Sequence, residues 1–356
     1  MHRTINANAI AFAASFVIFL YAVFIPQPAF ACATCGCTLS SDAAMGYSAV
    51  SGWSVNLMYS YINQDQLRGG SGSVSPAQVV NSPTNGELEH ETINRQLTVG
   101  VTYSPNPDWN LNLQLPYLIR SHSSYTDSTS APFDDSQLDP ANLSDSRSSS
   151  LGDVKFIASY QGLLPTHNLG MQLGVKLPTG NYGGPDASGT GTVGRNPVYF
   201  SGGPSAGELL DTSLQPGTGS TDLIVGAYYY QAISQNFDAF VNGQFQAAVA
   251  QKLNQPGADF RPGNLGVVSV GLRYEADPKI VPQLQLNLSR KSHDQGALAD
   301  VEDTAGTVAY LSPGVTFAAG QNTHVYGFVQ IPVYSRLDGY QLSPRWTAAA
   351  GLSYAF

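Results

Sequence analysis

Three cysteines stand within six residues, Cys32-Ala-Thr-Cys35-Gly-Cys37, and the chain has no others. Three thiolates at this spacing are soft donors suited to Cu(I) or Zn(II). A structural zinc site would need a fourth ligand, from His or water. In an oxidising compartment the same residues give one disulfide and a leftover thiol, or a lipidated Cys32 beside a disulfide. No Cys-x-x-Cys-His occurs, so covalent haem is not expected. The expectation is no cofactor, with Cu or Zn at Cys32, Cys35 and Cys37 as the alternative.

A second chemical set is spread along the chain and is mostly neutral. Asn94, Gln96, Asn112, Gln114, Asn242, Gln244 and Gln285 fall on the polar face of segments whose other face is apolar. Lys155, Lys176, Asp222 and Arg273 share those polar faces, as do Asp153, Asp238 and Arg345. Such amides can hydrogen-bond water or neutral solutes in a narrow interior, and the few charges there should pair across strands. Hydrolytic catalysis is not expected. No Gly-x-Ser-x-Gly elbow is present, and Ser292 beside His293, or His324 alone, lacks the oriented triad that activates a serine.

The elements that must position these groups read as strands. Twelve segments alternate with period two: 52–62, 92–103, 109–120, 153–161, 169–179, 222–231, 237–249, 264–275, 281–290, 307–317, 323–334 and 343–356. In the last, Trp346, Ala348, Ala350, Leu352, Tyr354 and Phe356 share one face, with aromatics at both ends, as a lipid-facing strand requires. Short links such as 105–108, 233–236 and 276–279 alternate with long ones at 63–91, 121–151 and 180–221 and three shorter loops. A barrel with one end in the periplasm and the other outside sorts its loops in this way. The longest loop, 180–221, either remains outside or folds inward to constrict the lumen.

The chain starts with Arg3, an apolar run over 9–24, and Ala29-Phe30-Ala31, which fits a cleaved secretory signal. The expected organisation is therefore a signal peptide at 1–31, a periplasmic or lumen-plugging segment at 32–51, and a barrel over 52–356. Beyond the signal no apolar run is long enough for a membrane helix, so a membrane protein must here be a closed barrel. Charged residues make up 12% of the chain and the net charge is -9. A nucleic-acid partner is not expected at that balance. The expected partners are outer-membrane lipid and lipopolysaccharide, the barrel assembly machinery and a small-molecule solute. Tyr354 and Phe356 resemble the terminal assembly signal of bacterial outer-membrane barrels.

Several short stretches together resemble one family. Leu151-Gly-Asp-Val-Lys-Phe-Ile-Ala-Ser-Tyr160, Gly174-Val-Lys-Leu-Pro-Thr-Gly180 and Gly219-Ser-Thr-Asp-Leu-Ile-Val-Gly226 look like the core of the outer-membrane family labelled "MetA-pathway of phenol degradation". Tyr326-Gly-Phe-Val-Gln-Ile-Pro-Val333 and Gly351-Leu-Ser-Tyr-Ala-Phe356 look like its ending, and Leu113-Gln-Leu-Pro-Tyr117 also fits. The resemblance covers roughly 52–356. It implies an all-β transmembrane antiparallel barrel of about twelve strands and a porin-like, non-enzymatic role in moving small, often aromatic compounds across the outer membrane. Pro116, Pro178 and Pro332 are expected to end strands at the membrane boundary, with a bulge or lateral portal as the alternative.

Overall fold

The computed structural model describes residues 51–82, 88–125 and 131–356. The expected signal peptide, nearly all of the 32–51 segment and the three cysteines lie outside the described residues.

Twelve extended elements build the wall: β1 (Gly52–Gly70), β2 (Glu89–Asn106), β3 (Trp109–Ser124), β4 (Ser144–Leu151), β5 (Val154–Tyr160), β6 (Leu169–Leu177), β7 (Ser220–Ala232), β8 (Phe237–Gln251), β9 (Leu265–Tyr274), β10 (Ile280–Lys291), β11 (Gly306–Ala318) and β12 (Thr323–Ala355). All wall pairings are antiparallel and, apart from that of β5 with β3, join sequence neighbours, and β12 returns to pair with β1, which closes the ring. β4 and β5 make one pass, since both pair with β3, at 117–124 and at 109–114. β12 makes two passes. Its first part pairs with β11 and its second with β1, and the reversal falls near Gly339, whose φ of 51° suits a tight turn. The wall is thus about twelve passes of an antiparallel barrel, as the alternation predicts.

The outer face carries the apolar side chains. Leu97, Leu113, Leu173, Leu223, Val241, Leu286, Val329 and Leu352 are all substantially exposed, which in a barrel of this kind is the lipid-facing band. Aromatic pairs mark one rim at the short-turn end. Trp53 stacks on Tyr103 at 4.6 Å between centroids, Trp109 meets Tyr160 at 4.9 Å, and Phe237 meets Tyr274 at 5.0 Å. Tyr354 and Phe356 complete that rim at 4.9 Å. Tyr61 and Trp346, 5.8 Å apart, lie at the other edge. The eight residue-to-residue steps from Trp53 to Tyr61 span roughly 26 Å at ~3.3 Å each, close to the ~25 Å apolar band of such barrels.

Inside, large rings are accommodated by glycine on the facing strand. Tyr228 pairs with Gly170, Phe240 with Gly271 and Phe328 with Gly314. A Cβ on Gly170 or Gly314 would stand 2.1 Å from the ring. These rings therefore lie along the wall.

Three differences from the sequence reading have physical causes. β4 was expected to be loop, because its residues are Ser, Asp and Arg on both faces. It extends the pass beyond the apolar band, where neither face needs to be apolar. Pro116 and Pro332 do not end strands. Pro332 sits at the register shift between β11 and β12, and Pro116 faces the break between β4 and β5. Pro178, directly after β6, does follow the end of a strand. Arg345 is not inward: a register irregularity near Gln64 leaves it exposed, 3.4 Å from Asp65.

Leu286, midway along β10 and 47% exposed, tests the lipid-facing assignment. Leu286→Arg is expected to lower folding stability in bilayers by about 2–4 kcal/mol if it lies near the midplane. The shift in urea midpoint of the heat-modifiable folded band measures it; an unshifted midpoint contradicts the assignment.

Candidate lumen constriction

The break in the wall between β4 and β5 organises the interior. Pro116 has no N–H to give the ladder, and opposite it Gly152 and Asp153 leave the strand. Gly152 N donates to Pro116 O at 2.8 Å, and the Asp153 carboxylate turns inward, 8% exposed. Lys176, the last inward residue of β6, reaches Asp153 at 2.9 Å and Asp222 of β7 at 3.2 Å. Its ammonium also donates to Thr218 Oγ1 and, at 3.1 Å, to Ser220 Oγ. Asp222 accepts from Ser220 Oγ at 2.5 Å and from Gln246 Nε2 at 2.6 Å. Every charge in this cluster is paired and hydrogen-bonded, the condition under which buried ions are tolerated. Removing Lys176 would leave two buried carboxylates together, at a cost of about 3–5 kcal/mol.

The same carboxylate anchors the longest loop. Asp153 accepts from Gly180 N at 3.0 Å and from Thr218 N at 3.0 Å, drawing the two ends of the 180–219 segment together. Gly180 and Gly217 pack backbone to backbone, and a Cβ on Gly180 would lie 2.8 Å from Gly217 Cα. Higher up, Arg120 of β3 donates Nη1 to the carbonyls of Leu214 and Gln215, and its Nε donates to Asn94 Oδ1 at 2.6 Å. Asn94 in turn donates to Gln64, which donates to Leu342 O, so a polar chain crosses three strands to reach the loop. The loop carries its own apolar core of Phe200, Leu210 and Leu214. Gln215 closes it by bonding to Val198 and Leu210. Of the two placements open from sequence, the inward fold is the one found: 211–218 lies against the inner wall.

Arg345 aside, the residues read from sequence as inward are spread over several strands and do not form one site. Asn112 and Gln114 bond to each other, and Gln244 bonds to Gln172. Lys176 and Asp222 belong to the constriction, with Lys155 beside Lys176 in register. Arg273 lies at the short-turn end, 2.8 Å from Glu275, and Gln96 bonds to Thr98 on its own strand. Asn242 pairs in register with Ser269, and the Gln285 side chain is wholly buried. Arg120 was not singled out, although it keeps the phase of Asn110, Asn112 and Gln114; what it binds is backbone of a distant loop, which no spacing reveals.

A small cavity of about 40 Å³ lies above the constriction, lined by Gln64, Asp211, Asp303 and Tyr340 among others. Asp303 accepts from Tyr340 N at 2.7 Å. Burial, reinforced by nearby Asp300, pushes its carboxyl up to about 7. Among the described residues no cluster of His, Cys, Asp and Glu is arranged to hold a metal.

No protein-family model and no curated protein matches the chain. Solved structures do. An outer membrane channel from Pseudomonas putida F1 superposes with a TM-score of 0.58 at 13% identity, over 86% of this chain and 96% of that one. The CymD monoaromatic hydrocarbon channel gives 0.42 at 11% identity, over 90% and 94% of the two chains. The Ralstonia pickettii toluene transporter TbuX gives 0.43 at 9%, over 92% and 97%. The first of these establishes likeness of fold to an outer-membrane channel. At such identities the likeness extends to fold alone.

Two outcomes follow from this geometry. Arg120→Ala is expected to release 211–218 from the wall and raise single-channel conductance several-fold, with larger open-state noise; unchanged conductance would place the constriction elsewhere. For Asp303, a folded pKa above the unfolded value means its contribution to stability is lost as pH rises from the ordinary carboxylate range through about 7. Asp303→Asn, which keeps the acceptor for Tyr340 N, should flatten the urea-midpoint profile across that window.

Proposed function

We propose that the protein is a passive outer-membrane channel for small, largely neutral, aromatic or hydrophobic molecules. The observation that carries this reading is the combination of a closed apolar-faced wall with a loop fastened inside it by Arg120 and Asp153. A barrel that served only to display outer loops has no need to bring its longest loop down to a charge cluster in the wall. The amide lining supports passage of neutral solutes or water, since amides can exchange hydrogen bonds with a moving solute without holding it as a fixed counter-ion would. The names of structurally similar channels and the resemblance to the phenol-degradation family point to aromatic compounds as solutes.

The reading includes secretion with removal of residues 1–31, assembly through the terminal Tyr354 and Phe356, and outer loops that face lipopolysaccharide. Cys32, Cys35 and Cys37 would then stand at the periplasmic mouth. Copper or zinc handling by these residues is the second class of function, and it rests on the cysteine spacing alone.

Planar-bilayer conductance together with liposome swelling in small neutral solutes tests the proposal. Discrete conductance steps and swelling that falls with solute size are expected. Folded, heat-modifiable protein that gives neither, also after deletion of 32–51, would make the barrel a scaffold.

A further inference from the structure

The cavity above the constriction is lined by acids and by no base. Asp211 comes from the inward loop, Asp300 and Asp303 from the β10–β11 loop, and Glu89 from the start of β2. None of the residues around this space of about 40 Å³ is Lys, Arg or His. Asp211 and Asp300 are exposed, Glu89 and Asp303 are partly buried, and Gln341 of β12 is 2% exposed. An acidic mouth thus leads to a neutral amide at depth.

That amide is the second observation. Gln341 Nε2 donates to Ala305 O at 2.7 Å and to Asp338 O at 2.9 Å, which fixes which way round the group sits. Neither Ala305 nor Asp338 lines the cavity. The opposite edge of the amide, Oε1, is buried without a hydrogen-bond partner, and the cavity is the space left for one. An unmet buried acceptor costs about 1–3 kcal/mol, so the site calls for a donor or a cation. Beside four carboxylates, a cation is favoured. The residues flanking Gln341 are themselves engaged by these acids. Tyr340 N donates to Asp303 Oδ1 at 2.7 Å, and Leu342 N donates to Glu89 Oε2 at 3.3 Å. The backbone of β12 therefore holds two of the carboxylates beside the amide.

Carboxylates and an amide carbonyl are hard oxygen donors, suited to Mg²⁺ or Ca²⁺. Among the described residues no three acids converge as direct ligands. An ion that keeps much of its water shell fits that spacing, which is the habit of Mg²⁺ rather than Ca²⁺. At about 10–15 Å³ for each water-sized body, the cavity has room for an ion and about two waters. We infer that the cavity binds one partly hydrated divalent cation of the magnesium class, which joins the inward loop through Asp211 to the β10–β11 loop through Asp300 and Asp303. Leu214, whose carbonyl accepts from Arg120, also lines the cavity, so the ion and Arg120 hold the same stretch of loop. The inference stands independently of what the barrel conducts.

The test uses the full-length protein refolded in detergent without lipopolysaccharide, stripped with chelator and dialysed into potassium chloride. Calorimetric titration with magnesium chloride is expected to show saturable binding of a single ion per chain. Because the ion binds the folded state, Mg²⁺ should raise the urea midpoint of the heat-modifiable band, and K⁺ at equal ionic strength should not. Asp211→Asn and Asp300→Asn should each weaken Mg²⁺ binding by about tenfold, the scale of one charge–charge contact at partial desolvation. Asp135→Asn, at an exposed acid in the loop after β3, should leave binding unchanged. Ca²⁺ should bind more weakly than Mg²⁺; tighter Ca²⁺ binding overturns the assignment to a hydrated ion. No saturable binding to the wild type overturns the site and leaves Gln341 Oε1 to water alone. Binding that Asp211→Asn and Asp300→Asn do not weaken also overturns it. The wild-type titration decides the question even where a variant does not fold.

Discussion

The barrel follows from one constraint: a backbone surrounded by hydrocarbon must satisfy every N–H and C=O from within the protein. The chain meets it by pairing each pass with its neighbours in sequence and by returning the second part of β12 to β1 from Ala355 to beyond Gln341. Closure removes the sheet edge and sets the two-residue period that divides lipid-facing from lumen-facing side chains. It also makes proline a local event. Where Pro116 withdraws a donor, the neighbouring pass breaks into β4 and β5 rather than ending, and the carboxylate at the break, Asp153, becomes free to turn inward.

That turn ties the wall to the longest loop. Asp153 binds Lys176 on one side and the backbone of Gly180 and Thr218 on the other, so wall and loop share a single buried network. Such a network is rigid because each member loses its partner if another moves, and the low dielectric makes an orphaned member costly. Arg120 adds an attachment higher in the barrel through two loop carbonyls, which keep its charge hydrogen-bonded without a carboxylate. The loop is therefore fastened to the wall at two levels.

The glycines opposite Tyr228, Phe240 and Phe328 show the other interior requirement. A ring that points inward either crosses the lumen or lies on its neighbour, and the second arrangement requires a facing residue without a Cβ. The three rings are thereby buried against the wall, each no more than 4% exposed.

The sequence by itself determined the exterior. Lipid imposes one chemical rule on every outward position, so alternation in segments such as 92–103 and 343–356 is visible residue by residue, and with it the approximate strand number and loop parity, and the expectation that Asn94, Gln114, Lys155, Lys176, Asp222 and Gln285 face inward. Only the tertiary structure decided what those inward residues do. Lys176 takes both carboxylates and Lys155 none because of a break opposite Pro116 and the descent of 211–218, contacts between residues far apart in the chain. β4 escaped notice for the related reason that above the bilayer neither face has to be apolar. Arg345 departed from its expected face because a register irregularity shifts its phase, and one added residue suffices for that where the side-chain period is two.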